Sequence, residues 1–157
     1  MSLPDADVIG PLFDLWDEIL GLPSANGQTA VIDLGTGWAA TLAAVDAATA
    51  SRPMRPGGAS IAGHTAHAAA YLEAFEERFH GRGTPTAGPE TFEPSEVDEA
   101  RWAHLRERLL GDAERVRALL HGATQWPQEQ VRGAVANLAH LAYHLGAIRQ
   151  MLRYSRR

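Results

Sequence analysis

Residues 127–152 read PQEQVRGAVANLAHLAYHLGAIRQML, and the spacing of their apolar positions decides the fold class. Val131, Ala134, Leu138, Leu141, Leu145, Ile148 and Leu152 recur every three or four residues. That period gathers them on one stripe of an α-helix and would scatter them over both faces of a strand. Pro127 suits the first turn of such a helix, where its missing N–H costs no hydrogen bond.

Three other segments share this character. Leu12, Leu15, Trp16, Ile19 and Leu20 predict a helix from about Pro11 to Leu20, stopped at Gly21, Leu22 and Pro23. Ser24 to Gly27 reads as a turn. The apolar stretch from about Thr29 to Ala48 contains Gly35 and Gly37, which leaves one helix, a broken helix, or a loop leading into one. RPMRPGG at 52–58 is a clear break, after which Ser60 makes a good N-cap for a helix over Ile61 to Phe79. Gly81 to Pro94 is the longest connection. Ser95 followed by Asp98 resembles a capping box and opens a helix carrying Val97, Trp102, Leu105, Leu109, Val116, Leu119 and Leu120, which stops at Gly122. No alternating strand pattern competes. The expected fold is all-α, an antiparallel four-helix bundle forming one domain over residues 1–157.

Composition agrees. A chain of 157 residues with 45% hydrophobic and 21% charged residues can bury a core and is not a disordered segment. Its net charge of -5, with basic residues gathered only at Arg153, Arg156 and Arg157, lacks the footprint of a nucleic-acid binder. Met1 to Asp7 is acidic and without an apolar signal core, and no apolar run spans a bilayer, so the expected location is cytoplasmic. There is no cysteine. Thiolate metal sites, disulfides and cysteine nucleophiles are excluded, and any metal must be held by imidazole and carboxylate.

Four of the seven histidines fall in two clusters. His140 and His144 lie four residues apart, stacked on one helical face beside the apolar stripe of Leu141 and Leu145, so both can point at one ion. On its own, such a pair is as readily two ordinary boundary histidines. His64 and His67 lie one turn apart, and at least one shares the face of Ile61, Ala68 and Tyr71. Facing helices of a bundle can supply inward ligands to one cation, and three imidazoles leave a position free for water or substrate. His80, His104 and His121, near helix ends or among charges, read as solvated. Asp33 is a candidate oxygen ligand or base, but more often such a residue turns the backbone. Tyr143 is a candidate donor or a buried interface aromatic. Glu73, Glu76, Glu77 and Arg78 mark a wet face.

The segment Ser60-Ile61-Ala62-Gly63-His64-Thr65-Ala66-His67 resembles the second helix of the DinB/YfiT-like family. The segment from His140 to Gln150, an H-x-x-x-H pair followed by Gly-Ala-Ile-Arg-Gln, is similar to that family's last helix. The resemblance covers most of the chain in helix order, with these two motifs as its specific part. It implies a four-helix bundle holding a divalent metal, zinc or nickel, on one histidine of the second helix and two of the last. His67 falls on the usual ligand position, with His64 able to replace it or to stand behind it. Ala59 departs from the pattern, since many members carry tryptophan there.

The resemblance further implies a metal-dependent thiol S-transferase of the bacillithiol or mycothiol kind, or a hydrolase, acting on a small-molecule substrate and paired as a homodimer. Two other classes stay open: a non-catalytic bundle that binds a metal or small ligand, and a plain interaction protein. In the last case Leu12, Trp16 and Ile19 would be exposed for dimerisation.

Overall fold

Each segment long enough to bury an apolar stripe becomes a long helix. In a computed structural model that describes residues 5–22, 29–83 and 87–155, with side chains from residue 9 onward, six helices follow one another. They are α1 (Asp5–Leu20), α2 (Trp38–Ala43), α3 (Ala47–Ala50), α4 (Ile61–Phe79), α5 (Glu99–Gly122) and α6 (Gln128–Ser155), with a 3₁₀ turn at Pro89–Phe92. No strand occurs among the described residues, and no helix there is long and apolar enough to cross a membrane. The turn expected at Ser24 to Gly27, and the terminal Arg156 and Arg157, lie outside the described residues.

Local chemistry accounts for where the helices start. Ser60 caps α4, its hydroxyl accepting from the Gly63 N–H at 3.0 Å. α5 begins later than the Ser95 capping box predicts. Asp98 is the cap, accepting from the Arg101 N–H at 2.8 Å, because its carboxylate is both a good acceptor and a favourable charge at a helix N-terminus. Ser95 instead gives its carbonyl to the Ser60 hydroxyl at 2.6 Å, and Val97 lies before the helix, its N–H on the Ser51 hydroxyl. α1 reaches back past Pro11 to Asp5. The ambiguous stretch after residue 29 is a loop followed by the two short helices.

Packing sets the directions. α4 and α6 run antiparallel, since His64 meets His144 while His67 meets His140. α1 and α5 are also antiparallel, with Arg117 paired to Asp17 and the Phe13 ring stacked on His121. α4 and α5, however, run parallel, with Glu73 paired to Arg108 and Glu76 to Arg115. The antiparallel expectation therefore fails for this consecutive pair, and the long 80–98 connection exists to return the chain to the end where α4 began. Ile61, Ala62, Ala66, Ala69 and Leu72 of α4 share one core with Leu109 and Val116 of α5 and Leu141, Leu145 and Ile148 of α6. Leu12, Trp16 and Ile19 are buried in that core, so they are not an exposed dimerisation stripe.

The loop after α1 is held from within the helix. Glu18, 5% exposed, accepts backbone N–H bonds from Ala30, Val31 and Ile32 at 2.7–3.0 Å. Burial acts to raise its pKa, but the three N–H donors outweigh it and leave the carboxyl below its ordinary value. Such a group contributes stability above the ordinary carboxylate pKa and loses it as pH falls. Glu18→Ala should therefore cost about 2 kcal/mol at pH 7, a drop in Tm of about 4–8 °C, and the difference from wild type should shrink in acid. Thermal unfolding of both proteins at pH 7 and pH 4 checks this.

Candidate metal centre

Two helices that cross antiparallel bring matching heights together, and here the matching heights carry imidazoles. His67 of α4 and His140 and His144 of α6 present ring nitrogens that all lie within 4.8 Å of one another. The Nε2 atoms of His140 and His144 are 3.0 Å apart. Two nitrogens bound to one tetrahedral zinc, at bonds of 2.0–2.1 Å, are separated by about 3.3–3.4 Å. The α6 pair is therefore close to the spacing a shared ion requires. The His67 ring centroid lies 5.1 Å from that of His140 and 5.0 Å from that of His144. These three histidines can hold a metal ion.

The structure separates His64 from His67. His64 joins the back of His144, Nδ1 to Nδ1 at 2.8 Å, on the nitrogen that His144 does not turn toward His140. His64 therefore orients the His144 ring and is not among the three convergent histidines. Beyond His64 opens a cavity of about 380 Å³ lined by Arg55, Gly58, Ala59, Ala147 and Gln150. Arg55 carries no ion pair among the described residues.

His67 is gripped from outside both helices. Its Nδ1 lies 2.6 Å from the Thr91 hydroxyl, and its ring stacks on Phe92 with centroids 4.1 Å apart and planes 12° from parallel. Tyr71, one turn along α4, stacks on His140 at 3.7 Å. Tyr71 follows from helical spacing, because i and i+4 share a face. Thr91 and Phe92 do not, since they come from the long connection, and no spacing rule links residue 91 to residue 67.

The remaining candidates lie elsewhere. Asp33 accepts from Thr36 through its carbonyl and pairs its carboxylate with Arg149, so it turns and anchors a loop. Tyr143 is 69% exposed, which corrects the alternative of a buried interface aromatic; its ring flanks His144 at 5.0 Å between centroids. His80, His104 and His121 are exposed. Glu73, Glu76 and Glu77 pair with Arg108, Arg115 and Arg82.

Burial and mutual repulsion keep the cluster neutral. Burial, then the nearby His67, pushes the His140 pKa down to about 4. Burial, then His140, His64 and His67, pushes His144 down to about 3. His64 is lowered by burial and by His67; His67 is lowered by burial, with Glu90 opposing. At pH 7 all four offer lone pairs, which is the form a metal takes. The sign of the pH dependence follows: between the unfolded value near 6.5 and the folded values, the unfolded chain binds more protons, so stability falls as pH falls. Metal-free protein should lose stability between pH 7 and pH 5, and His144→Asn should flatten that slope. Urea unfolding at pH 7, 6 and 5 measures both.

Comparison of the chain with protein-family models, with curated proteins and with solved structures gives no match, so the geometry above carries the functional argument.

Proposed function

We propose that this chain is a metal-dependent enzyme on a four-helix bundle of the DinB/YfiT-like kind, acting as a thiol S-transferase or hydrolase on a small-molecule substrate. The observation that carries the proposal is the convergence of His67, His140 and His144 within 4.8 Å. Imidazole-only donors suit zinc or nickel, and three protein ligands leave coordination open, the arrangement of catalytic rather than closed structural sites. A divalent ion held there supplies Lewis acidity that lowers the pKa of a bound thiol or water.

The chain's own residues supply the rest. His67, His140 and His144 hold the ion. His64 keeps the His144 ring turned through its Nδ1, and Tyr71 and Phe92 cover the faces of His140 and His67. The chain has no cysteine, so a reacting thiol arrives as a cosubstrate of low molecular weight. A non-catalytic metal-binding bundle makes the same metal prediction and differs only in turnover.

Protein purified without a histidine tag should take up one zinc or nickel ion per chain. His140→Ala should reduce uptake to background, whereas His64→Ala should weaken binding by only about 10-fold. A wild-type protein that takes up no divalent metal ends the proposal. A loaded protein that turns over no electrophile with any low-molecular-weight thiol, and no hydrolysable ester or amide, leaves the binding bundle in its place.

A further inference from the structure

The segment Gly88–Phe92 belongs to neither helix of the centre, yet it touches His67 twice. A hydroxyl has one proton, and that of Thr91 lies on the Gly88 carbonyl oxygen at 2.6 Å. The Thr91 oxygen can then only accept from His67, 2.6 Å away, so His67 must carry its proton on Nδ1. An imidazole protonated on Nδ1 has its lone pair on Nε2. This hydrogen bond therefore fixes which nitrogen of His67 is free.

The turn can reach His67 because of what α4 lacks at one position. Gly63 lies one turn before His67, and a Cβ there would stand 2.7 Å from the Phe92 carbonyl oxygen. Real Cβ atoms do not come that close to backbone, so any larger residue would lift the turn from the helix. With glycine, the turn seats and the Phe92 ring stacks on His67 and meets His64 edge-on at 5.5 Å.

From this we infer that Thr91 is a positioning residue of the metal centre, holding His67 as an Nε2 ligand, and that Gly63 is the seat of the turn that delivers it. The inference rests on the metal-centre proposal for its consequence but not for its geometry. Ligating histidines generally donate their second ring N–H to an oxygen, and loss of that partner weakens metal binding about 10–100-fold.

The test uses Thr91→Val, which keeps shape and removes the hydroxyl, Thr91→Ser, which restores it, and Gly63→Ala. Circular dichroism checks that each is folded. Cobalt(II) and zinc affinities are measured by chelator competition, and the His67 tautomer in metal-free protein by ¹⁵N imidazole NMR. Thr91→Val and Gly63→Ala should weaken binding about 10–100-fold, while Thr91→Ser stays near wild type. His67 should be the Nδ1–H tautomer in wild type and Thr91→Ser, and lose that preference in Thr91→Val. Wild-type affinity in Thr91→Val, or an Nε2–H His67 in the wild type, overturns the inference. If wild type binds no metal while the tautomer follows the hydroxyl, the positioning role of Thr91 stands and the metal-centre proposal fails.

Discussion

Much of the structure depends on one constraint: several imidazoles share a single gap between α4 and α6 and are kept uncharged there by burial. His144 is 2% exposed and His67 7%, with His140 and His64 partly buried beside them. Charging any one would place a cation among close neighbours in a poorly solvated space. A core of leucines would be an easier solution for stability alone. The cluster is tolerated because each ring finds a partner: His64 with His144, His144 with His140, His67 with Thr91, and Tyr71 flat against His140.

Small residues make the gap. On α4, buried Gly63 and Ala68 flank the side that carries His64, His67 and Tyr71 and leave width for the rings, while Ala62, Ala66 and Ala69 lie around the opposite side of the helix in the core. Alanine is also the best helix former, so these small residues cost α4 nothing in local propensity. Gly63 is the one departure, and its close approach to the Phe92 carbonyl supplies the reason.

The sequence made the helices and half of the centre legible. An apolar period of three to four is a local property, and so is the stacking of His140 over His144. The choice between His64 and His67 was not local. Residues three apart differ by only about 60° around a helix, so both point inward, and what separates them is height along the axis. Height is set by the antiparallel register of α4 on α6, which puts His67 level with the His140–His144 pair and His64 behind His144. The grip of Thr91 on His67 and the nest around Glu18 were illegible for the same reason: each joins segments whose meeting depends on the finished fold. The Ser95 box misled because two acceptable capping residues lie three apart, and only packing against Ser60 decides which one begins the helix.

Proton counting shows how close the resting cluster is to a ligating one. His144 has one proton when neutral but two nitrogen partners, so it must donate on one side and accept on the other. If it donates from Nδ1 to His64, its Nε2 already carries a lone pair toward His140, and His64 carries its own proton on Nε2. Only the His140 proton then lies between the two facing Nε2 atoms, and moving it to His140 Nδ1 frees both. If the chain ran the other way, His144 and His64 would both have to reverse. Because all of these rings are neutral near pH 7, the change shifts protons between nitrogens of the same ring and releases none to solvent. Thr91 places His67 in the matching state by the same rule, one proton on the outward Nδ1 and a lone pair inward. Hydrogen bonds to Thr91 and His64 thus bias the protons of His67 and His144, which gives both residues chemical work although neither is among the three convergent histidines, and leaves only the shift of the proton between His140 and His144 to free the facing nitrogens.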